Sequence, residues 1–376
     1  MIGICTTPLD SKLGMNIIFA AGRELAYPRN SQIIHALAQQ YQVHLVVSAA
    51  SRLTTRLVQI GRQLVQQRFS ADDVCFIGFY GQPLVFPARL RWRGPLLLDA
   101  FVSTYDTLCF DRQIIKPNSV FGRMAFYLDR LSCQMADVVL MDTWAQAEYF
   151  ERTFDVPRSK LHVVYVGCDD DLFRPLSVPP PDIPTVLFYG TFLPLHGVDI
   201  IIQAAHQMAG ERVHFQIIGQ GQEYERVRNL ASGLMIPNIQ FLAPVPLEDL
   251  PKIIAHATIC LGGHFGRSDK AKRVIAGKTF QCLAAGKPTI VGDNPANREI
   301  FAHGENVWMC PMADPTALAN AIRHLLDSPQ LCARLGERGR ETVQRTSGNA
   351  MAAQSVHMAV ETAVALHQSG LPNTDS

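Results

Sequence analysis

Gly262–Gly292 reads GGHFGRSDKAKRVIAGKTFQCLAAGKPTIVG. An apolar run, Thr258–Leu261, leads into it. Lys278–Ala285 then has a helical period, Gly286 and Pro288 stop that helix, and Pro288–Val291 is apolar again. Strand, helix and strand in so short a stretch predict two parallel strands joined by a crossover. Glycines at 262, 263, 266 and 277 let the backbone turn tightly and approach a ligand. Arg267, Lys270, Lys272, Arg273 and Lys278 face only Asp269, a local charge of +4. Lys278 opens the helix, whose free N–H groups and dipole favour an anion. The stretch therefore reads as a phosphate or diphosphate site at the carboxyl edge of a parallel sheet, where open α/β folds bind ligands. A basic surface loop before an ordinary helix start is the plainer reading of the same residues.

The same alternation extends in both directions. After 184, strands are predicted at Thr185–Tyr189, Val213–Ile218 and Ile239–Leu242, with helices at Val198–Met208, Tyr224–Ala231, Leu247–Ala255 and Pro315–Leu326. Before it, Asn16–Ala20, Val43–Val47, Val74–Ile77, Leu96–Asp99, Val138–Met141 and Leu161–Val166 read as strands, with helices at 31–40 and 52–69. Continuous apolar strands between helices indicate parallel sheets covered on both faces. Pro175, Pro179, Pro180, Pro181 and Pro184 interrupt the pattern and place a linker at about 176–184. The expected organisation is α/β, with two domains at 1–178 and 185–345. Leu331–Arg345 and Ala350–His367 are helical patterns with no strand after them. The segment 346–368 needs an apolar partner surface, and 369–376 reads as a disordered tail.

The 376 residues, 48% hydrophobic and 18% charged, are enough for two domains and exclude a disordered, collagen-like or disulfide-scaffold chain. A formal charge of +1 argues against a general nucleic-acid binder. It conceals a net +5 over 52–93, where seven Arg face Asp72 and Asp73; this is either an ordinary solvated face or a patch for an acidic surface or a phosphate-bearing substrate. Nine scattered cysteines without a C-x-x-C suggest reduced thiols in a cytosol. Met1-Ile-Gly-Ile-Cys lacks the basic start of a leader, and no apolar run approaches a membrane span.

Further candidates sit at strand ends. Gly190-Thr191 and His196-Gly197 follow one strand, and Gly219-Gln220-Gly221 another. Neither loop completes a dinucleotide or P-loop motif. Asp99 ends an apolar strand, where α/β folds place functional side chains, although a capping or surface role is as good a reading. Asp106 and Asp111 follow it, Asp111 reading as a surface or capping carboxylate. Asp169-Asp170-Asp171 lacks calcium-loop spacing and reads as a capped turn. The twelve histidines form no metal motif, so no metal is expected. His196, in its glycine loop, is the one a polar ligand could approach.

Several of these segments, in their order, resemble the retaining glycosyltransferases of group 1 (GT4 type), which have the GT-B fold of two Rossmann-like domains facing across a cleft. They are Ala136–Met141, Phe154–Pro157, Lys160–Pro175 (KLHVVYVGCDDDLFRP), Thr185–Gly197, Ile217–Gly221, Lys278–Pro288 (KTFQCLAAGKP), Arg298-Glu299 and His303-Gly304. The resemblance implies a nucleotide-sugar donor bound by the second domain, and a saccharide or lipid-linked acceptor bound by the first. It implies a final helix crossing back onto the first domain, and a cytoplasmic enzyme of surface-polysaccharide synthesis; the Arg-rich charge of 52–93 separately suggests peripheral contact with the inner membrane face. Donor contacts fall by resemblance on Gly190, Thr191, His196, Gly219, Arg273, Lys278, Gln281 and Glu299, with Lys270 and Lys272 as further phosphate-binding cations. Asp99 falls where the family places an acceptor-side polar residue, so Asp99, Lys278 and Arg273 form the expected catalytic set.

The chain departs from the family pattern. Arg273 and Gln281 stand where two glutamates eight positions apart are usual, and Thr191 and His196 replace an Arg–Lys pair. AAGRELAYPRN replaces the usual glycine-rich first loop. Gln281 can still bond a ribose hydroxyl, as a weaker acceptor than a carboxylate. Fixed cations and helix-terminal N–H groups would stabilise a departing nucleoside diphosphate without a metal. A non-catalytic sugar-nucleotide-binding or scaffold protein and a sugar-nucleotide epimerase are the alternatives. The missing glutamates favour the first, and the absence of a convincing acid–base pair weighs against the second.

Overall fold

The computed structural model describes residues 15–369; the stretch expected to be a disordered tail lies, beyond Ser369, outside them. The first sheet contains β1 (Asn16–Ala21), β2 (Gln42–Val46), β3 (Asp73–Gly78), β4 (Leu96–Asp99), β5 (Val138–Met141) and β6 (Leu161–Val163), in the order β2-β1-β3-β4-β5-β6. The second contains β7 (Thr185–Tyr189), β8 (His214–Ile218), β9 (Ile239–Leu242), β10 (Ile259–Gly263), β11 (Thr289–Gly292) and β12 (Trp308–Cys310), in the order β12-β11-β10-β7-β8-β9. Every ladder is parallel. This is the α/β GT-B architecture the sequence implied.

Period-two alternation explains why both faces of each sheet are dry. In β1, Ile17 and Phe19 enter one core, while Ile18 and Ala20 enter the core on the opposite face. In β7, Val186 and Phe188 separate from Leu187 and Tyr189 in the same way. Each large side chain buried like this contributes about 1.5–3 kcal/mol relative to exposure.

The last helix, Asn349–Gln368, finds its partner on the first sheet. Ala353, Val356, Ala359, Val360 and Ala363 pack into the core that holds Ile17 and Phe19. His357 Nε2–H donates to the Ala36 carbonyl at 2.7 Å. Asp170 caps the start of this helix, accepting from the Asn349 N–H at 3.0 Å, and Asp169 accepts from the N–H groups of Asp171 and Leu172. The Asp169–Asp171 run is thus a capped turn.

Several elements escape the periodicity. Gln82–Arg91 is helical although it contains two prolines: Pro83 sits in the first turn, where no donor is needed, whereas Pro87 lies inside the helix and forgoes one bond. Val120–Met135 and Trp144–Phe154 are also helices. The three-residue β12 is too short to show a pattern. Leu161–Val166 pairs only as far as Val163, so the expected strand is shorter than its apolar run.

Candidate active site

In the second sheet the strand order reverses between β7 and β10, and their carboxyl ends open a crevice there. The loop after β7 carries Gly190, Thr191, His196 and Gly197; the loop after β10 carries His264, Phe265 and Gly266. Backbone bonds join them, from Phe265 N to His196 O at 3.3 Å and from Gly266 N to Leu195 O at 3.1 Å. Gly197 adopts φ +63°, and a Cβ there would lie 2.5 Å from the backbone of Phe265 and Gly266, so only glycine permits this contact. Gly219, with φ +143°, closes the third side; its Cβ would stand 2.0 Å from Gly190 O.

Lys278 occupies the floor, only 7% exposed. It is the second residue of the helix Gly277–Ala284, whose first turn has no side-chain cap. Its Nζ lies 3.1 Å from His196 Nδ1 and 4.4 Å from the centre of the Phe188 ring. A Cβ on Gly190 would meet Lys278 Cε at 3.0 Å, so the glycine makes room for the ammonium. Burial pulls the Lys278 pKa down to about 7. His196 stacks on His264 with ring centres 4.8 Å apart. Burial, reinforced by Lys278, holds His196 well below the usual histidine range and His264 at about 3. Both rings are neutral at pH 7; when Lys278 is an ammonium it can only donate, so His196 Nδ1 then accepts and the ring proton resides on Nε2. His264 Nδ1 and Thr279 Oγ1 are buried without a hydrogen-bond partner.

The remaining expected cations do not converge here. Arg273 Nη2 reaches across to Asp106 Oδ1 at 2.8 Å, and its guanidinium lies 3.6 Å above the Tyr149 ring. Lys270 Nζ bonds Thr107 Oγ1 at 3.0 Å and Asp111 Oδ2 at 3.2 Å. Both side chains, expected on a phosphate, are drawn to buried carboxylates of the first lobe. Asp111, expected at the surface, is only 5% exposed for the same reason. Lys272 is exposed and pairs with Asp269 on its own helix turn. Thr191 is also exposed. Gln281 Oε1 accepts from Tyr189 OH at 2.7 Å, which leaves its amide N–H groups for another partner.

Glu299 crosses between the lobes. Its two oxygens accept from the N–H groups of Trp144 at 2.9 Å and Ala145 at 2.7 Å, capping the helix Trp144–Phe154, while Tyr165 OH donates to it at 3.1 Å. Burial nonetheless raises its pKa above the ordinary carboxylate value. Thr143 Oγ1 donates to the Arg273 carbonyl, completing this seam. Asp99 is fully buried, with Arg29 Nε on Oδ2 at 3.1 Å and Arg29 Nη2 on Oδ1 at 3.0 Å. Expected as an open acceptor-side carboxylate, it instead anchors Arg29, whose Nη1 also holds the Val164 carbonyl.

Strand-end reasoning missed Asp142, one residue past β5, although the rule that selected Asp99 applies to it equally. It is 1% exposed, neither oxygen has a partner, and burial pushes its pKa up to about 7. In the segment 52–93, Arg56 bonds the Gly22 carbonyl and Glu24, and Arg89 bonds Asp137 and two carbonyls. Those two charges serve the fold. Among the described residues no group of three His, Cys, Asp or Glu is arranged to hold a metal, and no helix is long and apolar enough to cross a membrane.

Residues 169–342 match the family of glycosyl transferases group 1. This part of the chain is similar to the group 1 glycosyl transferases. Its match begins in the Asp169–Asp171 turn and includes the whole Lys278 crevice. The chain is 25% identical over 222 residues to the D-inositol 3-phosphate glycosyltransferase of Streptomyces avermitilis, covering 54% of this chain and 47% of that protein. It is 28% identical over 173 residues to the phosphatidyl-myo-inositol mannosyltransferase of Mycobacterium leprae, covering 45% and 44%. The chain thus spans about half the length, or less, of the first of the curated relatives it matches. The likeness in fold extends to both lobes. Sucrose-phosphate synthase from Thermosynechococcus elongatus superposes with a TM-score of 0.77 at 16% identity, over 93% of this chain and 99% of that one. Anabaena Alr3699/HepE, solved in complex with UDP-glucose, gives 0.71 at 16% identity, over 93% and 100%.

Proposed function

We propose that this protein moves a sugar from a nucleotide-sugar donor to a saccharide or lipid-linked acceptor, with retention of configuration. The observation that carries the reading is Lys278: a buried amine at an uncapped helix N-terminus, in the crevice at the strand-order reversal, beneath the glycines at 190, 197 and 219. That arrangement suits a diphosphate, whose charge develops fully as the sugar leaves. Lys278, the helix N–H groups and the Nε2–H of His196 would stabilise the departing charge without reorganising. The Gly190–Thr191 turn gives the diphosphate its approach, and the free amide of Gln281 suits a ribose hydroxyl. Arg273, Lys270 and Glu299 act one step away, holding the lobes so that donor and acceptor meet. The UDP-glucose complex of HepE supports a UDP-sugar as the first donor to try.

The experiment compares Lys278→Ala with Lys252→Ala, an exposed lysine outside the crevice. Donor consumption should fall by about 10²–10³-fold in the first and stay parental in the second. Near-parental turnover by both variants would overturn the assignment. Donor binding by the parent without turnover on any acceptor would favour the non-catalytic alternative.

A further inference from the structure

A cavity of about 450 Å³ opens where the helix Trp144–Phe154 meets the loop after β11. Trp144, Glu148 and Glu151 recur at intervals of four and three, so they share one face of that helix and line the cavity from the first lobe. Arg158 joins them from the turn that follows, and Pro295 and Glu299 close the cavity from the second lobe. The cavity shares no residue with the crevice around Lys278, and its volume lies in the range of small-ligand sites.

Its aromatic wall is held in place. The Arg158 guanidinium lies 4.2 Å from the centre of the Trp144 ring and 3.8 Å from Glu151, and Glu299 fixes the Trp144 N–H at 2.9 Å. Trp144 nonetheless stays 41% exposed, against 8% for Trp92, whose indole N–H bonds the Pro95 carbonyl. A lone exposed aromatic is ordinary, but one fixed in the wall of a cavity beside hydrogen-bonding groups is a preformed surface for a ligand. Glu299 spends its oxygens on two backbone N–H groups and Tyr165 OH. Glu148 and Glu151, with side chains 51% and 42% exposed, are the acceptors open to a ligand, although Glu148 also pairs with Arg152 outside the lining. The indole suits a flat apolar face, the two carboxylates suit neighbouring O–H donors, and Arg158 suits an oxygen. A pyranose ring offers all three, with C–H groups on its face and hydroxyls around its rim. Three carboxylates against one guanidinium disfavour a phosphate or a uronate.

We propose that this cavity is a saccharide-binding site, separate from the Lys278 crevice, which takes one neutral sugar ring on Trp144 with its hydroxyls on Glu148 and Glu151. Both lobes line it, so a bound ring would also bridge them. A saccharide seated there would be gripped at a unit remote from its reacting end; only this corollary rests on the transferase reading.

The test is a ligand-observed NMR titration of the full chain, without donor, with the methyl glycosides of glucose, galactose, mannose and N-acetylglucosamine. At least one should bind saturably with a Kd of about 1–10 mM, and saturating UDP should not displace it. Trp144→Ala should weaken that binding about tenfold. Should this variant unfold, Glu148→Gln with Glu151→Gln keeps the shape of the cavity and should weaken binding about fivefold. No saturable binding of any of the four up to about 100 mM would overturn the proposal. So would parental binding by the folded variants, displacement by UDP, or binding of glucuronate, glucosamine or adenosine about tenfold tighter than the best neutral glycoside. Consumption of UDP-glucose by the parent is measured separately. Glycoside binding without turnover would leave this site standing and count against the transferase reading alone, so the two failures are distinguishable.

Discussion

Arg273 of the second lobe and Asp106 of the first meet at 2.8 Å, with the guanidinium stacked on Tyr149, and their side chains are 13% and 4% exposed. A cation that sequence reasoning assigned to a phosphate is thereby committed to the seam between the sheets. Lys270 with Asp111 repeats the arrangement beside it. Position in a basic glycine loop says that a charge is needed locally. Which anion it serves depends on what the other lobe presents.

Asp106→Ala leaves Arg273 without its counter-ion in a mostly dry site. Removing one partner of a buried pair costs about 3–5 kcal/mol, and the residual exposure of Arg273 reduces the expected loss to about 2–3 kcal/mol. Urea denaturation of Asp106→Ala, Arg273→Ala and the double variant measures it. The double variant should be less destabilised than the sum of the two singles; strict additivity would show that the pair contributes nothing.

In the proposed donor site, Lys278 should set the pH dependence of binding. His196 and His264 are neutral throughout the neutral range, so Lys278, at about 7, is the group of this trio that titrates there. A diphosphate favours the ammonium and raises its pKa, so binding takes up a proton above about pH 7. Affinity for UDP should therefore fall with rising pH, by up to about tenfold per unit, until the pKa of the complex is passed. Calorimetry in two buffers of different ionisation enthalpy detects the proton directly. A flat profile with no proton uptake would remove Lys278 from the diphosphate.

Asp142 makes the opposite kind of contribution. Its folded pKa of about 7 lies above its ordinary 3.8, because burial disfavours the carboxylate. Between those values the folded chain retains a proton that the unfolded chain releases, so stability falls as pH rises through that window and the penalty is complete above it. Asp142→Asn should stabilise the protein by about 2–4 kcal/mol near about pH 8 and by much less near about pH 5. Thermal melts at the two pH values check this; an equal shift at both would show that the carboxylate is not the source.

The architecture was legible because apolar strands, helical stripes and a proline break are local signals. Asn16–Ala21 and Thr185–Tyr189 announce buried parallel strands by composition alone, and the order of the family segments identifies the fold. Gln82–Arg91 and Val120–Met135 were not legible. The first hides behind two prolines, and the second carries apolar residues on the side that faces water.

At the site, the glycines and the helix start around Lys278 could be read from the chain, since turn geometry and helix polarity are set by neighbours in sequence. Asp99 shows where that reasoning ends: a carboxylate at a strand end is equally suited to a substrate and to Arg29, seventy positions away. The sequence by itself determined the two parallel sheets, the linker between them and the anion-favouring helix terminus, all consequences of local periodicity and backbone chemistry. Only the tertiary structure decided which charges stay available. Lys270, Arg273, Asp99 and Glu299 are claimed by partners distant in the chain, and burial, a property of the packed whole, lowers Lys278 and raises Asp142 to the same neutral range.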